Sequence, residues 1–525
     1  GDAWDEAGGG GHVCNETAMK DVAQGLSDQD LLDAVQMWQL DDWWYPGSRK
    51  VWVHCVQNWT LAEPAFQHGL AELSRAVKTP WLLYVPFFCP ENVYSKDFRF
   101  INSVPGPTQF AEPHPDDALA FYRMLFDYGV ASGMRGHEND FLNFNFLAMP
   151  YFRKTLGASN QWLSAIDTAA MERRIPVQMC MALPSDLMAS VQFSSVTNVR
   201  ASEDYVSGDN HDIGGSSLLA FSLGLRPSKD NFWTHRPQSV MDTGRPWAAH
   251  SNPGSNCELN TIISTLSTGP VGIGDKAGDT NKTLLLRSVR PDGLVLQPSR
   301  PATYIDAMFW QRSLDHPRRP PSGRVWSTHA QVIRGEAGEP AIWHYVLSID
   351  VVQPWQLADT DLYPIARAGS GWVARRWHQG HAPTPCADGA PAVASGCLFA
   401  PAIRSNAEMP YLLNDRPVMV TNDTHTYDLL QLSPIELNGW VLLGDTSRYT
   451  SVSSKRFKRV SAAASGLTVT VSGAPGEELD LTALAPRSVP VDAGGSEDWT
   501  VVVKRVSFSG SQVLTVSFGT RPLYS

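Results

Sequence analysis

Charge is scarce in this sequence and cysteine scarcer. Only 18% of 525 residues are charged, and 42 Lys+Arg against 53 Asp+Glu leave a net charge of −11. An acidic chain gains nothing from releasing phosphate counterions, so nucleic acid is not an expected partner. No run of roughly 18 uninterrupted apolar residues occurs, so no membrane-spanning helix is expected. The seven cysteines show no CxxC or other zinc-ligand spacing, and neither a metal nor a cofactor is expected. The Gly-rich opening GDAWDEAGGGG (1–11) lacks the GKS/T of a phosphate-binding loop and the spacing of a dinucleotide fingerprint. What remains is a globular composition, 43% hydrophobic, long enough for two to four domains at ~100–200 residues each.

Tryptophan is abundant, at 18 residues, and several stand in polar company, as in WQLDDWWY (38–45). Most tryptophans in any chain are core. Planar rings beside hydrogen-bonding groups also suit carbohydrate, whose C–H faces stack while its hydroxyls need partners.

Four glycosylation sequons, at Asn15, Asn58, Asn281 and Asn422, permit secretion. Cys386 and Cys397 flank a short Gly/Ala/Pro loop that a disulfide could close. These features favour a secreted or endomembrane-lumen glycoprotein, with the cytosol as the alternative. The chain opens at Gly1 rather than Met, which reads as a processed or trimmed product.

Through about residue 290, apolar runs ending in polar residues alternate with helix-periodic stretches. The runs are AVQMWQLDD (34–42), TPWLLYVPFFCPENVY (79–94), GMRGHENDFLNF (133–144), RIPVQMCMALPS (174–185), VTNVRASEDY (196–205) and STGPVGIGDKAG (267–278). Two weaker runs lie near 1–10 and 217–225. Strand alternating with helix predicts parallel strands, and near-continuous apolar runs predict burial on both faces. Eight strands favour a closed (β/α)8 barrel over residues 1–290. After that, short alternating strands such as AIWHYVLSID (341–350) and LTVTVSG (467–473) are separated by Gly, Pro, Asp and Ser clusters. Residues 291–525 read as a C-terminal antiparallel β-sandwich region of one or two modules.

In a (β/α)8 barrel the reactive groups sit at the C-terminal ends of the strands. Those ends carry Asp41 and Asp42, Glu91, Glu138 and Asp140, Asp186, Arg200 with Glu203 and Asp204, and finally Asp275 and Lys276. Any one acid is ordinarily a cap or a loop carboxylate. A whole rim of them is costly to a purely structural barrel, because like charges repel. A retaining glycosidase needs such a rim, with a nucleophilic carboxylate and a proton-donating one ~5–5.5 Å apart. Strand alternation turns His137 away from Glu138 and Asp140, as a packed histidine rather than a metal ligand. GDNHD (208–212) groups Asp209, His211 and Asp212, which read as a solvated loop.

WQLDDWWY resembles the IDDGW or IDDCW strand end of clan D glycoside hydrolases, the α-galactosidases of families 27 and 36 and their relatives. RGHENDFL (135–142) resembles the clan's nucleophile strand, K-x-D, and NVRASEDY (198–205) its acid/base strand, in which an Arg precedes the catalytic Asp by four residues. TGPVGIGDKAGDTNKTLLLRSVRPDGLVLQPSR (268–300) and YDLLQLSPIELNGWVLLGD (427–445) look most like the raffinose-synthase and alkaline α-galactosidase branch of family 36. That branch carries an N-terminal β-sandwich, whereas this sequence begins near the first barrel strand.

The resemblance implies that Asp140 is the nucleophile and Asp204 the acid/base, with Glu203 as an alternative proton donor. Arg200 would fix Asp204. Asp41 and Asp42 would hold sugar hydroxyls, and Trp43 and Trp44 would wall the pocket. Glu138 stands where the clan has a lysine that binds galactose hydroxyls, which argues against galactose itself. The implied activity is a retaining, exo-acting α-glycosidase on an oligosaccharide or glycoconjugate. The alternatives are a transglycosylase of the raffinose-synthase kind and a catalytically silent carbohydrate-binding barrel.

Overall fold

The computed structural model describes residues 15–41, 44–48, 55–62, 65–106, 109–204, 212–235, 256–310, 320–336, 338–364, 371–377, 403, 409–412, 414, 425–486, 499–510 and 512–519. The chain divides into two compact units. One comprises residues 1–202, 219–248 and 272–280, and the other 203–218, 249–271 and 281–525.

The first unit is built on six parallel strands: β1 (Trp38–Leu40), β2 (Trp81–Val85), β3 (Met134–Asn139), β4 (Val177–Met179), β5 (Val196–Arg200) and β6 (Arg226–Ser228). They pair in sequence order. Strands are sequential neighbours because a helical crossover returns each to the same edge, as α1 (Pro115–Ala131) does between β2 and β3 and α2 (Ala158–Arg173) does between β3 and β4. α1 places Phe121, Tyr122, Leu125 and Phe126 in the core, the i, i+4 stripe of an amphipathic helix. Gly133, with φ +96°, takes the left-handed turn into β3 that an L side chain would resist. Trp44, Trp59, Trp81 and Trp162 lie fully buried in this unit.

Five of the expected strands form within their apolar runs. The run at 217–225 is instead largely helical (Gly214–Ser222), and β6 follows it. The expected strand over 267–278 is reduced, in this unit, to one parallel bridge, Ile273 to Phe232. Its glycines and proline give a strand little to pack and one donor fewer. The weak run at 1–10 lies outside the described residues.

The second unit carries a long curved sheet in the order β9-β10-β8-β7-β12-β13-β16. Its strands are β7 (Arg324–Arg334), β8 (Glu339–Ile349), β9 (Trp372–Arg376), β10 (Tyr427–Pro434), β12 (Phe457–Ala463), β13 (Gly466–Ser472) and β16 (Val513–Gly519). A second sheet joins β11 (Val441–Gly444), β14 (Glu478–Pro486) and β15 (Trp499–Ser507). Val373 of the first sheet packs with Val441, Leu443, Leu484 and Trp499 of the second. The indole of Trp343 on β8 donates to the Leu442 carbonyl at 2.8 Å. All neighbours in these sheets are antiparallel except β7 and β12. Asp212 belongs to this unit and is fully engaged there. It accepts from the Tyr304 hydroxyl and pairs with Arg324 at 2.9 Å, so it ties the chain down rather than offering a ligand.

Candidate active site

Period-two alternation decides what one face of the parallel sheet presents. The register sets Tyr84 beside Glu138, Glu138 beside Gln178, Gln178 beside Asn198, and Arg200 beside Ser228. Two residues further toward the C-terminal ends, the same face continues through Asp41, Asp140 and Cys180. Two polar tiers result.

Glu138 is the centre of the lower tier and is 2% exposed. Its Oε2 accepts from Gln39 Nε2 at 2.6 Å, and its Oε1 from Gln178 Nε2 at 3.0 Å. The same Gln39 nitrogen also donates to Asp41 Oδ2 at 2.8 Å, which links the two acids. Burial holds the Glu138 carboxyl well above the usual range. Asp41 and Asp140 add to that rise, and Arg200 opposes it.

In the upper tier Asp140 follows directly on β3. Its backbone N–H donates to the Val85 carbonyl at 3.0 Å, and its Oδ2 accepts from the Tyr84 hydroxyl at 2.9 Å. Its Oδ1 is buried, and among the described residues no nitrogen or oxygen donates to it, while the Cys180 thiol is close enough to interact with the carboxylate. The next residue, Phe141, has φ +53°, so the backbone reverses sharply after the acid into helix Leu142–Leu147. Cys180 is buried near Asp140, and burial pushes its thiol up.

Arg200 Nη1 lies 3.6 Å from Asp230 Oδ2. Lys229 is buried beside this pair, and burial lowers its ammonium to about 8. Asp275 is also buried, but it accepts from the Thr234 N–H at 2.7 Å and hydroxyl at 2.5 Å, the signature of a loop anchor. Lys276 is half-buried.

Of the residues singled out in the sequence, Asp41, Glu138, Asp140 and Arg200 share this face. Asp42 and Trp43 lie outside the described residues. Trp44 does not wall a pocket: its ring packs edge-on against Trp59 and Tyr45 at 5.4 Å, with Trp44 and Tyr45 both buried in the core of this unit. Glu203 is exposed and Asp204 half-buried, and both group with the second unit. Asp186 caps its own helix, Pro184–Ala189, by accepting from Leu183 N–H at 2.8 Å, and burial raises its carboxyl to about 6. His137 is packed among Phe126 and Trp59 with Nδ1 3.1 Å from the Leu83 carbonyl, turned away from the acids as alternation requires. Gln39, Tyr84, Gln178, Lys229 and Asp230 were not anticipated. Counting back by two from Asp41 and from Cys180 would have found both glutamines. Among the described residues no group of three or more His, Cys, Asp or Glu is placed to hold a metal.

A disulfide joins Cys55 to Cys89, while the expected Cys386–Cys397 pair lies outside the described residues.

No protein-family model and no curated protein matches the chain. Solved structures do. A GH27 β-L-arabinopyranosidase from Geobacillus stearothermophilus aligns with 80% of this chain and 93% of its own, at 14% identity and a TM-score of 0.50. An α-galactosidase from Thermus thermophilus in complex with stachyose aligns over 50% of this chain and 58% of its own, at 12% identity and a TM-score of 0.35. The galactosidase domain of an α-galactosidase-sucrose kinase aligns over 80% and 52%, at 11% identity and a TM-score of 0.46. The fold is a (β/α)8 barrel followed by a C-terminal antiparallel β-sandwich region.

Proposed function

We propose that the chain is a retaining, exo-acting α-glycosidase of the clan D kind, with Asp140 as nucleophile and Asp204 as acid/base. The observation that carries this reading is Asp140 itself. It sits buried at the C-terminal end of a central strand, with one oxygen held by the Tyr84 hydroxyl. A nucleophilic carboxylate must be held rigidly against the carbon it attacks, and a strand end with a hydrogen-bonded carboxylate supplies that. Asp204, four residues after Arg200, supplies the second carboxyl of a double displacement and would protonate the leaving oxygen. The upper tier supports substrate binding by Asp41 and Arg200. Glu138, where the clan's galactose-binding lysine stands, makes unsubstituted α-galactosides poor substrates.

The test is substitution with aryl α-glycosides as substrates. Asp140→Asn should lower kcat by roughly 10³-fold or more while sugar binding survives. Asp204→Asn should slow substrates with poor leaving groups far more than activated aryl glycosides, since only the former need a proton. An Asp140→Asn protein with near-full activity overturns the assignment. The Cys55–Cys89 bridge supports a secreted or lumenal location, because such bonds persist in oxidising compartments.

A further inference from the structure

We propose that an open cavity among the segments that follow β3 and β4 binds a sugar carrying a carboxylate, a uronic-acid unit of a glycan chain. The proposal rests on the glycosidase reading for the glycan and on the cavity itself for the charge. The cavity measures about 440 Å³, within the ~300–1,000 Å³ of small-molecule sites. It lies wholly in the first unit. The chain after β3 lines it through helices Leu142–Leu147 and Pro150–Lys154 and the start of α2, and the chain after β4 lines it through helix Pro184–Ala189. Phe152 and Leu163 belong to the core and give it an apolar lining, and Leu156 beside them is fully exposed.

The polar lining divides by charge. Arg153 and Lys154 both line the cavity, and neither side chain has an ion-pair or hydrogen-bond partner among the described residues. Arg173, at the other end of α2, by contrast pairs with Asp127 and Glu172. From the β4 side comes Asp186, only 6% exposed. Its Oδ2 accepts from the Leu183 N–H, and its Oδ1 takes no hydrogen bond among the described residues. Burial raises this carboxyl to about 6, and neither cation pairs with it. One side of the cavity thus offers uncommitted donors and the other an uncommitted acceptor. A neutral sugar would leave two cations without a counter-charge. A bare carboxylate would leave Asp186 Oδ1 unused, and a phosphate would bring two negative charges against it. A sugar carboxylate answers both sides. Its planar anionic group matches the Arg153 fork and takes a charge-assisted bond from Lys154, while a ring hydroxyl donates to Asp186. Its C–H face meets the apolar lining.

The probes are methyl α-glucuronide and methyl α-galacturonide, each beside its neutral parent glycoside, with acetate as the carboxylate alone. Calorimetry on the full chain at pH 7 and low salt reads the affinities. At least one uronide should bind about tenfold or more tighter than both its parent and acetate. Arg153 and Lys154 are exposed, so the double variant Arg153→Gln, Lys154→Gln should keep the fold and lose the preference. Asp186→Asn should weaken the uronide by about threefold or more and leave acetate unchanged. Asp140 does not line the cavity, so folded Asp140→Asn should bind the uronide as the parent does. Uronides no tighter than their parents overturn the proposal, and acetate that binds as tightly as a uronide reduces the cavity to a bare anion site and overturns it too. So does a preference that survives the double variant, or one that is lost in Asp140→Asn, which would put the sugar at the strand ends instead. Hydrolysis of aryl α-glycosides is scored separately. Its absence would sink the glycosidase reading, while the cavity proposal stood or fell on uronide binding.

Discussion

At the scale of single residues, the candidate site depends on how few atoms hold Asp140. Tyr84 donates a side-chain hydrogen bond to its carboxylate, at 2.9 Å from a ring that is itself buried. Tyr84→Phe keeps the shape and deletes that bond. A carboxylate freed in this way loses about 1–3 kcal/mol of positioning, which predicts a fall in kcat of roughly 10- to 100-fold. Stopped-flow measurement of the first turnover on an aryl glycoside would check it. An unchanged rate would mean that the strand end alone fixes the proposed nucleophile.

At the scale of elements, apolar runs mark strands only where both faces of the strand are buried. β1 to β5 are legible because a parallel strand buried on both faces is a nearly continuous apolar run with a polar end. β6 is Arg-Pro-Ser and has no such run, while the apolar LLAFS before it is helical. Gln39 and Gln178 escaped because a mid-strand amide looks like any polar residue until its partner is known. Cys55 and Cys89 are 34 residues apart with no spacing signal between them. The Gly, Pro, Asp and Ser clusters mark turns without ranking their residues, yet one glycine in the sandwich carries a specific constraint. Gly466 begins β13 with φ +147°, and a Cβ there would stand 1.9 Å from the Phe518 carbonyl oxygen on β16. Gly466→Ala must open that pairing. We expect a loss of about 2–4 kcal/mol in the stability of the second unit, measured by urea unfolding. A variant within 0.5 kcal/mol of the parent, the ordinary range for surface changes, would show that the hairpin adjusts freely.

At the scale of the whole molecule, buried titratable groups in both units decide how the fold responds to acid. Burial depresses His137 in the first unit to about 3, and His329 and His344 in the second to about 4 and about 3. An unfolded histidine takes up its proton near 6.5. As pH falls from about 6.5 toward 4, the unfolded chain therefore binds protons that the folded chain refuses, and stability is lost. Buried acids act in the opposite sense. Glu112 and Glu138 are held well above their usual range and Asp186 is raised to about 6, so acid relieves the cost of their burial. The overall pH profile mixes the two, and a difference between variants separates them. His344 is the cleanest subject. It is fully buried, neither ring nitrogen has a hydrogen-bond partner, and it faces His329 across the β7–β8 pair. An apolar side chain can replace it without orphaning another group. At pH 5 its refusal of a proton costs the folded state about 2 kcal/mol, set by the 1.5-unit distance from the unfolded value. His344→Leu should thus lose about 2 kcal/mol less than the parent between pH 7 and pH 5, read by urea unfolding at both pH values. Equal losses would mean that His344 gains its proton within the folded sandwich.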